Sequence, residues 1–193
     1  MLIDRIIGAF TFRKGVYAEV EGDASFTTNA WLIVAVAAFL SSLGAAAVSG
    51  GSFASMFLGA LVGTIFSVIG FGISAFVISW VGVNVFKAQT NFEEVVRTTG
   101  LAFVWTAVGV LGILGALASV LACITGPIQF AAWIAGLVAA IFAIKEALDL
   151  DWTSTIITVV IGWLVQLVIG LIAGLVLGIL GISASGIMGI FAR

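Results

Sequence analysis

Histidine is absent from the 193-residue chain, cysteine and proline occur once each (Cys123 and Pro127), and charged residues make up only 8%. Each scarcity excludes something. Without histidine there is no ordinary general base and no Ser-His pair. A single thiol has no partner for an intramolecular disulfide, a redox couple or a zinc site. A soluble globular domain carries about 25% charged residues, so this chain has too little polar side chain to cover a core against water. Its solvent is lipid. The net charge of −2, with no run of like charge longer than two residues, leaves no basic face for nucleic acid.

What is present is apolar: 63% of the residues are hydrophobic. A hydrocarbon layer about 30 Å thick takes roughly 20 helical residues to cross. Five stretches qualify, at about 30–48, 56–83, 100–121, 128–144 and 156–180. Polar or glycine punctuation separates them: SGGS at Ser49–Ser52, the charged run Lys87–Gly100, TGP at Thr125–Pro127, and Lys145–Thr155. Backbone groups in lipid must be paired within the segment, and the alternation of a membrane barrel is missing, so the spans are helices. The expected fold is an all-α polytopic transmembrane bundle. Residues 1–28 form an inner-face segment, residues 29–193 the five-helix domain, and short amphipathic helices lie on the inner face. The nearly unbroken Ser52–Phe86 stretch reads as one long tilted helix. Breaking it at Gly70-Phe71-Gly72 would put Lys87 and Arg97 on the outer side.

Charge orients the bundle. With the N-terminus inside, six of the seven basic residues and all nine acidic residues fall in inner segments, and only Arg193 falls outside. A removable signal peptide is not expected, because Asp4 and Arg5 interrupt the first residues and the apolar patch after them is short. Leu2, Ile3, Ile6, Ile7 and Phe10 instead recur at helical spacing, the pattern of a helix lying in the headgroup plane. Ile3, Ile6, Ile7 and Phe10, with Trp31 and Trp152 where spans leave the inner face, are the candidate interfacial anchors. Thr90 and Asn91, each three residues before a glutamate, predict a capping box and a helix start. Asp151 supplies N-cap chemistry for the last span.

Candidate sites are sparse. Glu93, Glu94, Glu146, Asp149 and Asp151 could gather around a hard cation, but no dedicated calcium loop accompanies them, and helix capping explains them better. The run GVLGILG at Gly109–Gly115 lacks the spacing and preceding strand of a dinucleotide fingerprint. No catalytic residue, metal site or cofactor is expected. Small residues let helix backbones approach closely in lipid, which makes Gly59, Gly63, Gly109, Gly112, Gly170, Gly174 and Gly178 candidates for helix packing. The predicted spans contain no ionisable side chain, which argues against coupled transport. Gln166 in the last span is the candidate for an interhelical hydrogen bond.

Two runs, WIAGLVAAIFAIKEALDLDWTSTIITVVIGWLV (Trp133–Val165) and FKAQTNFEEVVRTTGLA (Phe86–Ala102), resemble the fourth span, inner loop and fifth span, and the third-span start, of Yip-domain membrane proteins. The resemblance covers about residues 24–180. It implies five spans and a cytosolic N-terminus. In eukaryotes such proteins serve vesicle traffic through Rab-type GTPases and partner membrane proteins. Here the N-terminal region is too short for a GTPase-binding tail, and the family's proline soon after Gly100-Leu101 is missing. Rab binding is therefore not carried over, and a compact prokaryotic relative is the better match.

These readings lead to a non-enzymatic protein of the prokaryotic plasma membrane, with its N-terminus cytoplasmic and its C-terminus opposite. Its partners would be lipid and either other membrane proteins or further copies of itself, and its role membrane organisation or that of an accessory subunit. The alternative is a channel or passive transporter for small molecules, with a polar path past Gln166. An intramembrane enzyme lacks residues to do the work.

Overall fold

A computed structural model describes residues 2–50 and 52–179. It is helical throughout, and five helices are long and apolar enough to cross a membrane. Two short helices come first, α1 (Leu2–Phe10) and α2 (Val16–Glu21). Then follow α3 (Phe26–Ser49), α4 (Phe53–Asn84) and α5 (Phe92–Ala102). A 3-10 stretch (Phe103–Leu111) continues α5 into α6 (Gly112–Leu117), and α7 (Ser119–Leu148) and α8 (Trp152–Ile179) complete the chain.

Local chemistry sets these bounds. Ser52 caps α4 by accepting from the Ser55 amide. The helix then runs unbroken for 32 residues, through Gly70 and Gly72. At 1.5 Å per residue it is about 48 Å long, so it must tilt or project beyond the hydrocarbon. Asn91 and Glu94 form the capping box at the start of α5, each accepting from the other's backbone N–H. Asp149 turns the chain at the end of α7 in a left-handed conformation (φ 48°). Asp151 then accepts from the Thr153 and Ser154 amides to start α8.

One boundary differs from expectation. The turn between the third and fourth spans lies at Ala118, in extended conformation (φ −151°, ψ 129°), and Thr125–Pro127 is helical, inside α7. Pro127 has no amide hydrogen to donate, a loss that transmembrane helices tolerate. The tight return is made instead by Gly115, whose missing side chain leaves room for Ala122 and Thr125 of α7.

The buried core sits toward the charged end of the bundle, the inner end of the expected orientation, where α2, α5 and the ends of α3 and α7 meet. Val16, Val20, Phe26, Val34, Val95, Val96, Leu101 and Leu148 are all closed off from the surroundings there. Away from that end the helices turn large apolar side chains outward, such as Ile65, Val120, Phe130 and Leu171. That inversion suits lipid as solvent.

Backbones meet most closely where α3 crosses the 3-10 stretch. A Cβ on Gly44 would overlap the Gly109 carbonyl oxygen, and one on Gly112 would come within 2.7 Å of the Gly44 carbonyl. Gly109 itself lies against Ser41. Replacing Gly44 with alanine should destabilise the bundle by about 1–3 kcal/mol, since backbone rather than a flexible side chain must move. Gly170→Ala, at a position with nothing within 4 Å, should change stability by less than about 0.5 kcal/mol. Reversible unfolding in mixed micelles measures both; equal costs would contradict this packing.

Candidate functional site

At the inner end, one basic residue joins three helices. Arg97 lies in the second turn of α5, and although charged it is only 5% exposed. Its Nε and Nη2 donate to the Glu21 carbonyl at 2.9 and 2.6 Å, and Nη1 donates to Thr27 Oγ1 at 3.4 Å. Glu21 ends α2, so its carbonyl is one of those that a helix leaves unpaired, and the planar guanidinium closes that end. Glu93 and Glu94 stand 3.8 and 4.0 Å away and balance the charge. Sequence reasoning missed this residue. The available signal was a lone arginine beside Val95, Val96 and Gly100, one turn after two glutamates.

The N-terminal helix is docked, not loose. Phe10 meets Trp105 edge-on at 4.9 Å, while Phe12 stacks on the same ring at 5.5 Å. Leu2 and Ile6 also pack toward the core, whereas Ile3 and Ile7 are 69% and 54% exposed. Of the four aliphatic and aromatic anchors expected on α1, then, Ile3 and Ile7 face outward, while Ile6 and Phe10 hold the helix to the bundle. Arg5 pairs with Asp23 at 2.7 Å and lies over the Phe26 ring. Trp31 is an internal packing residue, edge-on to Phe71 and against Gly72. Trp152 is half exposed with the Lys145 ammonium above its ring, which suits an interface position.

The acidic residues fill helix-end roles. Among the described residues no group of three or more potential metal ligands comes together. Burial, and then the charges of Asp149, Glu146 and Glu94, push the Glu21 carboxyl above its ordinary range, with Arg97 opposing. Asp23 moves the other way, held down by the Ser25 hydroxyl and then by Arg5. The buried Tyr17 phenol, whose hydroxyl has no hydrogen-bond partner, is pushed up to about 12 by burial.

A second feature lies within the spans: a cavity of about 560 Å³ between α4, the 3-10 stretch, α7 and α8. Gln129, Gln166, Ser74 and Thr106 line it, together with Trp133 and Trp163. Gln166 Oε1 accepts from Ser74 Oγ at 3.0 Å, which joins α8 to α4, and its side chain rests against Gly70. Side chains join its neighbouring helices at two glycines. Leu148 of α7 packs on Gly82 of α4, and Ile78 packs on Gly162 of α8.

The glycine candidates divide. Gly109 and Gly112 make the crossing with α3, and Gly63 and Gly59 face Ser42 and Ala46 of that same helix. Gly170 meets nothing, and the surroundings of Gly174 and Gly178 lie outside the described residues. The close approach of α8 to α4 is made by Gly162 and Gly70, which the four-residue glycine repeat did not single out.

The Yip1 domain family model matches residues 7–174. The chain belongs to the Yip1 family. No curated protein and no solved structure matches it. Yip1 proteins are not known as enzymes, and the matched span takes in the end of α1, α2 to α7, both features above, and most of α8.

Opposite shifts at Glu21 and Asp23 give opposite pH behaviour. A carboxyl whose folded pKa is raised binds its proton earlier in the native state, so its contribution falls as pH rises through that range. The lowered Asp23 contributes stability above the ordinary carboxylate range and loses it as pH falls. Glu21→Gln should therefore raise the unfolding midpoint at pH 7, and the gain should vanish below about pH 4.5. Asp23→Asn should lower the midpoint at pH 7, with the loss shrinking on acidification. Unfolding curves from pH 3.5 to 7.5 check both; parallel shifts of the two variants would contradict the assignment.

Proposed function

We propose that this Yip1-family protein acts by interaction within the membrane and not by catalysis, organising or shaping the bilayer or serving as an accessory subunit of a larger membrane complex. One observation carries the reading. Every charged side chain among the described residues lies at the end of the bundle where α1 and α2 dock, while the spans hold only neutral side chains around their cavity. Such a chain has little with which to move protons or activate a nucleophile. It does have an ordered polar end, with Ile3, Ile7 and Phe12 turned outward beside it, and a broad apolar flank for lipid or another helix. We place that end in the cytoplasm of a prokaryotic cell, with the chain multi-pass in the cell membrane and its C-terminus opposite.

The cavity favours a second reading, a passive pathway. The Leu148–Gly82 contact brings α7 and α4 together beside it, which supports interaction over conduction. Proteoliposomes should show no protein-dependent flux of small solutes. Flux that Gln166→Leu abolishes would replace the first reading with the second. Purification in native lipid should recover a second membrane protein, or a second copy, in fixed ratio. A lone monomer would contradict the accessory-subunit form.

A further inference from the structure

Size, charge and hydrogen bonding of the intramembrane cavity each restrict what can occupy it. A volume of about 560 Å³ lies within the range of small-molecule sites. No charged side chain lines it, so neither a carboxylate nor an ammonium would find a counterion in a low-dielectric setting. The occupant must be uncharged.

Hydrogen bonding sets its polarity. The Ser74 hydroxyl occupies Gln166 Oε1, which leaves the amide N–H groups of Gln166 as the free end of that side chain. Gln129 forms no hydrogen bond with any described residue. Amides held this way in a membrane are costly unless something accepts from them. The free amide N–H groups of Gln129 and Gln166 are complemented by a molecule bearing acceptor oxygens. Access follows from Trp133 and Trp163, which line the cavity from α7 and α8 and are each about half exposed on the bundle surface. The mouth thus opens toward lipid, between α7 and α8.

We propose that this cavity binds an uncharged amphiphile from the bilayer, one apolar chain carrying ester, hydroxyl or carbonyl oxygens, with Gln129 and Gln166 as the donors that hold it. This goes beyond the interaction reading and stands or falls separately from it, since a partner complex could form with the cavity unused.

The tryptophans report occupancy directly. In micelles of the full chain, monoacylglycerol with a dibrominated chain should quench tryptophan emission saturably, above the linear background, and plain monooleoylglycerol should reverse it. The brominated fatty acid, ionised at pH 9, should give background only. Gln129→Leu, which removes no internal hydrogen bond, should weaken the saturable component about tenfold with unchanged helix content. Gly136→Leu, placed against Trp105 on the cavity wall, should remove it. Competition by oleyl alcohol but not decylubiquinone marks a hydroxyl or ester ligand, and the reverse marks a quinone; either supports the site. Absence of a saturable component, equal binding of the ionised acid, or unchanged affinity in Gln129→Leu overturns it.

Discussion

The Arg97 guanidinium and the Glu21 carbonyl make the contact on which the inner half of this protein depends. α2 has only six residues, too few to be stable on its own. Its C-terminal carbonyl receives a forked, charge-assisted pair of hydrogen bonds from α5, and the same side chain reaches Thr27 at the start of α3. α5 is thereby placed in register with α2 and α3, which lie far before it in sequence, around Val16, Val20, Val95 and Val96. A buried arginine without such partners would be strongly destabilising, so its placement and the geometry of α2 define each other.

Deeper in the membrane, where apolar burial drives little association, close packing takes over. Gly44, Gly109 and Gly112 bring α3 into backbone contact with the 3-10 stretch and the start of α6, and Gly70 and Gly162 make room for the Gln166 and Ile78 side chains between α4 and α8. Where the packing closes, at Gly82 and Leu148, the helices seal. Where α7 carries Gln129 and Gly136, the cavity remains, edged by Trp133 and Trp163. Tight inner joints and a looser lipid-facing pocket suit a protein that engages other membrane components better than one that conducts through itself.

Composition and punctuation made the five-helix architecture legible, because a chain so poor in charge has no other solvent than lipid. The Asn91–Glu94 box and the Asp151 cap were readable for the same reason: capping is local chemistry. The Ala118 turn was not, since nothing in Leu117-Ala118-Ser119 marks a break, whereas Thr125–Pro127 carries the usual breakers yet continues as helix. Glycine spacing gave Gly109 and Gly112 but missed Gly44, Gly70 and Gly162, whose importance comes from the backbone or side chain facing them. Gln166 was visible as the polar residue of its span, and its partner Ser74 was not, being one of many serines. Arg97 lay outside the predicted hydrocarbon segment, so its burial under α2 could come only from the tertiary fold.

Hydrogen exchange on the full chain in native-lipid discs, comparing wild type with Arg97→Lys and Arg97→Met, tests the inner joint most directly. The account predicts that both variants stay inserted and helical in α3, α4, α7 and α8 while the α2 amides lose protection. Arg97→Lys should recover only part of it, because an ammonium cannot donate the fork to Glu21. Unchanged α2 protection in Arg97→Met would show that α2 is held by its apolar contacts alone, and would contradict the central role given to this residue.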